Sequence, residues 1–128
     1  MLYMFLLHWN EQDPPVTPEE GIGAHFAFAR EARAKGAYVA SEAIGGTAVA
    51  TTVRVRDGKT MITDGPFAEA KEVMGGFYIL DCRDLDEALD YAAKIPDAGW
   101  EGVEVRPVMA VPGWDYGATA DYTRQSMD

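Results

Sequence analysis

Hydrophobic positions along this chain switch between two periods. Residues 2 to 8 alternate Leu2, Met4 and Leu6 against Tyr3, Phe5 and Leu7, the two-residue period of a strand, and both faces of that strand are apolar. Glu11-Gln12-Asp13-Pro14-Pro15 interrupts the pattern, because consecutive prolines suit neither helix nor sheet. Thr17-Pro18-Glu19-Glu20 predicts a helix start: Thr17 caps, Pro18 fits the first helical position and Glu20 completes a capping box. Ile22, Phe26, Ala29 and Arg33 then recur at helical spacing, and Gly36 marks the end. Ala37 to Ile44 predicts a second strand, closed by Gly45-Gly46.

Thr51 to Arg56 and Lys59 to Thr63 flank Asp57-Gly58, a two-residue turn of the type I′ kind. That turn sets Val53 opposite Ile62 and Val55 opposite Thr60, with Arg54 and Arg56 on the other face. Residues 64 to 82 hold the densest chemistry. They open on the turn Gly65-Pro66, carry Glu69, Lys71 and Glu72, and close on the strand Phe77 to Asp81. Asp84-Leu85-Asp86-Glu87 is a second capping box, and Leu85, Ala88, Leu89 and Ala92 predict the apolar stripe of a helix ending near Pro96. Gly102 to Val108 alternates Val103 and Val105 with Glu104 and Arg106 as a last strand. Beyond Pro112 the chain turns polar, with isolated Trp114, Tyr116 and Tyr122, and reads as a tail.

The order is strand, helix, strand, hairpin, strand, helix, strand. Without the hairpin this is β-α-β-β-α-β, a ferredoxin-like α+β arrangement with two helices on one face of an antiparallel sheet. Two helices cover one side only. The alternation of Tyr3, Phe5 and Leu7 with Tyr78 and Leu80 predicts a second apolar face, buried against the sheet of an identical subunit. The expected partner is therefore a second copy, in a homodimer.

Composition narrows the function classes. With 128 residues the chain makes one domain with a real core. A formal net charge of −10 argues against a nucleic-acid surface and against an anionic membrane, since both need clustered Lys and Arg. Cys82 is the only cysteine, which excludes an intrachain disulfide and a thiolate zinc site and fits a reducing, cytoplasmic setting. Gly45-Gly46 and Gly75-Gly76 lack the lysine and helix start of a phosphate cradle, and no His, Asp and Glu spacing matches a metal motif. No cofactor and no metal are expected.

Asp64-Gly65-Pro66-Phe67-Ala68-Glu69-Ala70-Lys71-Glu72, Gly75-Gly76-Phe77-Tyr78, Asp84-Leu85-Asp86-Glu87-Ala88 and Val103-Glu104-Val105-Arg106-Pro107-Val108 together resemble the YCII-related family, in its DGPF-motif branch. The segment Thr51 to Lys59 is similar to that branch as well. The resemblance implies a dimeric α+β barrel over residues 1–111, with residues 112–128 as a tail. It also implies kinship with small lyases, isomerases and monooxygenases acting on aromatic or polyketide-like rings, some of which eliminate chloride from chlorinated hydroxyquinols. In shorter members a histidine on the first helix, paired with an aspartate, is the proposed catalytic unit. His25, eleven residues before Gly36, falls where that histidine would. DGPF members are associated with extracytoplasmic-function sigma factors, which implies regulation.

His25 is accordingly the candidate acid–base residue, since an unperturbed imidazole suits proton transfer near neutrality. It is expected to face residues 64 to 72 across a cleft, with Asp64 or Glu72 as its carboxylate partner. His8, Phe67, Glu69 and Lys71 are candidate ligand-binding residues. For each a plainer role exists: His25 packs beside Ile22 and Phe26, Asp64 braces its own turn, and mixed charge at 69 to 72 is a solvated loop. Arg54, Arg56 and Arg106 read as solvated strand residues, and Cys82 as a small buried hydrophobe. Two functions stay open. One is a cofactor-independent lyase or isomerase on a small cyclic or aromatic substrate, and the other is a non-catalytic small-ligand or regulatory module tied to sigma-factor signalling.

Overall fold

The computed structural model describes residues 1–113. Its elements keep the predicted order: strand β1 (Leu2–Asn10), helix α1 (Pro18–Ala34), strand β2 (Tyr38–Ala43), the hairpin β3 (Thr51–Arg56) and β4 (Lys59–Asp64), strand β5 (Glu72–Asp81), helix α2 (Leu85–Lys94) and strand β6 (Gly102–Pro107). Two short helical turns, Thr47–Val49 and Pro96–Gly99, are additions that sequence periodicity is too short-sighted to register. Strands β2, β5, β1 and β6 lie side by side in that order, every pairing antiparallel. The architecture is α+β, two helices on one antiparallel sheet, with the ferredoxin-like strand order.

Local chemistry sets the element ends. Thr17 Oγ1 accepts the Glu20 amide at 3.2 Å, and Asp84 Oδ1 accepts that of Glu87 at 2.9 Å. Each cap satisfies an otherwise orphaned N–H and contributes about 1 kcal/mol. Helix α1 stops where Gly36 takes φ +77° and the Ala37 amide reaches back to the Ala32 carbonyl at 2.9 Å. In the hairpin Asp57 and Gly58 sit at φ +53° and +75°, a type I′ turn, and Val53 faces Ile62 while Val55 faces Thr60.

The hairpin forms a sheet of its own. Its backbone is tied at the base by the Gly65 amide to the Ala50 carbonyl at 2.8 Å, and Val53, Val55 and Ile62 stay exposed.

The sidedness of the main sheet corrects the expectation from sequence. Tyr3, Phe5, Leu7, Tyr78 and Leu80 do not form the face left for a partner. They pack under the chain's own helices, against Phe28 and Ala32 of α1 and Ala88, Tyr91 and Ala92 of α2. Phe5 and Leu80 are fully buried there. The opposite face carries Met4 and Leu6, in register with Ile79 and Phe77, and all four are half-buried. Both faces of β1 are apolar, so the period of two fixes which residues share a face without saying which face the helices take.

The helix stripes rotate for the same reason. On α1 the buried residues are Phe28 and Ala32, whereas Ile22 and Phe26 are 55% and 65% exposed. On α2 they are Ala88, Tyr91 and Ala92, with Leu85 and Leu89 half out of the core. No helix among residues 1–113 is long and apolar enough to cross a membrane. Of the predicted tail, residues 112–128, the part from Trp114 on lies outside the described residues.

Candidate functional site

A cleft of about 830 Å³ opens between α1, the sheet and the turn Pro96–Gly99. Ile22 and Phe26, exposed on α1, line one wall. Trp9, Tyr78 and Trp100 add aromatic surface, and the prolines of the β1–α1 loop close the rim. Gly75 and Gly76 lie at its base, each for a local reason. The β1–β5 pairing slips between Leu7 and His8, leaving Gly75 unpaired, and a Cβ there would lie 3.0 Å from the Trp9 Nε1. A Cβ on Gly76 would lie 2.7 Å from the Glu42 carbonyl oxygen, so the close approach of β2 requires glycine.

His25 stands in this wall with both ring nitrogens engaged. Nδ1 lies 2.8 Å from the Tyr78 hydroxyl, and Nε2 lies 2.8 Å from Oδ1 of Asp97. The second contact is close but lacks the alignment of a hydrogen bond, and Oδ1 has no other partner among the described residues. Asp97 is only 6% exposed, and the imidazole is the charge partner it meets in the interior. The ring is also stacked on Tyr78, with centroids 5.8 Å apart, and meets Trp100 edge-on at 6.2 Å.

Three elements meet to build this cluster. The core residue Phe28, one turn after His25, fixes the rotation of α1 and packs edge-on against Tyr78 at 5.0 Å. Tyr78 follows from the inward alternation of β5. Asp97 is set by the turn after α2: Ile95 is buried, Pro96 prevents the helix from continuing, and the Ala98 amide closes on the Ile95 carbonyl at 3.0 Å.

Burial pushes the Tyr78 phenol up to about 12, the Asp97 charge and Tyr38 adding to the shift and Arg33 opposing it. Near neutrality Tyr78 therefore keeps its proton, and with the Asp97 carboxylate beside Nε2 the tautomer that suits both contacts is the one in which Tyr78 donates to Nδ1. Nε2 then carries the ring proton and faces Asp97. The result is a directed Tyr–His–Asp array in which a proton arriving at Nδ1 leaves an imidazolium beside a buried anion.

The model of the YCII-related domain matches residues 1–112. The chain belongs to the YCII-related family. An uncharacterized protein of Rhizobium meliloti (strain 1021) is 48% identical over 64 residues, 48% of this chain and 52% of that protein. The match spans about half the length of this curated relative. The solved structure of 5-chloro-2-hydroxyhydroquinone dehydrochlorinase from Burkholderia phenoliruptrix AC1100, in complex with 2,5-dihydroxybenzoquinone, is similar with a TM-score of 0.52 and 16% identity, over 90% of this chain and 100% of that one. At that identity the likeness is one of fold, and it agrees with the α+β architecture above.

Within this YCII-related domain the predicted site residues separate. His25 lines the cleft; Asp64, Phe67, Glu69, Lys71, Glu72 and His8 do not. The carboxylate beside His25 is Asp97, in place of Asp64 or Glu72. Asp64 ends β4 opposite Thr51, and Glu72 opens β5 opposite Asn10, both exposed. Phe67 is exposed and sits under the Arg54 guanidinium at 5.0 Å. Glu69 and Lys71 are exposed in the connecting loop. His8 lies on the opposite sheet face, its Nε2 3.5 Å from Glu104. Burial pushes the Cys82 thiol up to about 12, in keeping with an inert hydrophobe.

Sequence reasoning missed Asp97, Tyr78 in its polar role, and Trp100. One signal was available: a single acid in Ile95-Pro96-Asp97-Ala98, apolar on both sides and pinned by proline.

Proposed function

We propose that the cleft is the active site of a cofactor-independent lyase or isomerase acting on a small cyclic or aromatic molecule, with His25 as its acid–base residue and Asp97 as the carboxylate that orients it. The carrying observation is His25 held between buried Asp97 and Tyr78 in the wall of an aromatic-lined cleft. A fold neighbour that is a dehydrochlorinase, with a hydroxyquinone bound, supports the same substrate class. As the Tyr78 proton passes to Nδ1, the Tyr78 oxygen takes a proton from the substrate. Asp97 stabilises the imidazolium formed. Returning that proton to a different atom isomerises the substrate, whereas an elimination follows when the freed electron pair forms a new π bond and a leaving group departs with its own bonding pair.

Hydrogen–deuterium exchange into 2,5-dihydroxybenzoquinone tests this reading, the probe being the molecule bound in the fold neighbour. The protein is expected to catalyse exchange of the ring hydrogens in D2O, and His25→Asn to reduce it by about a hundredfold. Binding without any catalysed exchange would instead favour the small-ligand-binding module.

The protein acts as a homodimer through the outer sheet face in this reading. Met4, Leu6, Phe77 and Ile79 support it: they are half-buried, apolar and opposite both helices. A sheet from a second copy laid on them buries at least about 1,000 Å². Sedimentation should give a dimer that Ile79→Lys converts to monomer. The functional unit is residues 1–111, and truncation after Val111 should preserve the dimer and the exchange activity.

A further inference from the structure

Beyond His25 the cleft runs on to residues that the acid–base chemistry does not use. Ser41 of β2 lies beside Tyr78 in the sheet register, and its hydroxyl is hydrogen-bonded to that of Tyr38. The Arg33 guanidinium lies 4.3 Å from the centre of the Tyr38 ring. Arg30, one turn earlier on α1, lines the same wall. The other cations of this region are already spent on one carboxylate: Lys35 and Lys94 both pair with Glu31. Neither Arg30 nor Arg33 has an ion pair among the described residues.

Two carboxylate residues line the cleft, Glu42 and Asp97. Asp97 faces His25, and the register puts Glu42 with Phe77 on the opposite sheet face. The β2 end of the cleft is thus rich in donors and cations beside an apolar wall. Arg33 is held over the Tyr38 ring, and Arg30 lines the same wall one turn earlier. The Arg33 charge already reaches the Tyr78 phenol, whose acidity it raises against the effect of burial.

We infer that this end of the cleft is an anion subsite, and that the substrate is a planar ring bearing an anionic oxygen, carboxylate or phenolate, which Arg33 and Arg30 hold beside Tyr78. The ring lies among Phe26, Trp9 and Trp100, and its charged oxygen takes donors from the guanidinium groups and the Ser41 hydroxyl. The inference rests on the proposed reading of the cleft and adds the charge of its ligand.

Benzoate and benzamide, nearly equal in shape, separate charge from ring. Calorimetry, with amide chemical shifts to locate binding, is expected to show benzoate binding the wild-type cleft more tightly than benzamide, with a preference that salt weakens. Arg33→Met should loosen benzoate about tenfold and leave benzamide unchanged. Lys35→Met, a cation removed from the same helix end but outside the cleft, should alter neither. A benzoate preference that survives in both Arg33→Met and Arg30→Met, or that Lys35→Met abolishes equally, overturns the subsite. If both probes bind equally and perturb Phe26 and Trp100, the subsite falls and the cleft reading stands. If neither probe perturbs the cleft residues, both fall.

Discussion

The four-stranded sheet with its helices and the β3–β4 hairpin with the loop behind it make opposite use of polar residues. In the first, ionisable groups include one that is enclosed: Asp97 is the only buried charged residue among those described, with His25 as its partner. In the second they are dense and wet. Asp64, Glu69 and Lys71 are all exposed, as is Glu72 where the loop enters β5, and Arg54 spends its guanidinium on the exposed Phe67. Density of charge along the chain therefore marks solvated surface here, whereas one acid enclosed by apolar neighbours marks the place where charge has consequences. The hydrophobics follow the same division: Phe5 is 0% exposed under the helices, and Ile62 is 69% exposed on the hairpin.

The largest test of this division is mechanical. Phe5→Ala should cost about 3–5 kcal/mol in chemical denaturation, the range for emptying a packed aromatic site. Val53→Ala on the hairpin should stay within about 0.5 kcal/mol in the monomeric Ile79→Lys background. Equal losses at the two positions would mean that the hairpin packs on the core in solution.

Next in size is alkaline stability. Cys82 and Tyr78 have ordinary values of 9.0 and 10.0, and burial pushes each up to about 12. Between those limits the unfolded chain has lost protons that the native chain retains, so stability must fall as pH rises from 9 through 12. The Tyr78 share is on the order of 2 kcal/mol, and Tyr78→Phe should remove it from the stability–pH profile. The hairpin region offers no buried acid of this kind, so Asp64→Asn should leave the profile unchanged.

Smaller again is the turn. Gly58 sits at φ +75°, and Gly58→Val should cost about 1–2 kcal/mol. Amide exchange should quicken across β3 and β4 while β1 and β5 keep their protection. Loss of protection throughout the chain would show that the hairpin and the main sheet unfold as one unit.

What the sequence made legible follows from range. The Asp57-Gly58 turn and the caps at Thr17 and Asp84 are written within four residues of where they act, and all three stand in the structure. The order of elements was legible because each carries its own period. Sidedness was not: β1 is apolar on both faces, so nothing local distinguishes Tyr3 and Phe5, which meet the helices, from Met4 and Leu6, which do not. Ile22 and Phe26 misled for a related reason, since an apolar helix stripe can line a cleft as readily as a core. His25 was placed by its helix, but its carboxylate lies 72 residues away in sequence, and only the packing of α2 and its proline-bounded turn brings Asp97 to it.

The central claim is that His25 works with Asp97 and Tyr78, across the cleft from nothing in residues 64 to 72. Imidazole nitrogen NMR of the protein labelled at histidine tests it directly. The neutral His25 ring should carry its proton on Nε2, facing Asp97, with Nδ1 bare and accepting from Tyr78. Asp97→Asn and Tyr78→Phe should each shift those resonances, and Asp64→Asn and Glu72→Gln should leave them in place. A ring protonated on Nδ1 when neutral, or one that responds to Asp64 or Glu72 and ignores Asp97, would contradict the assignment.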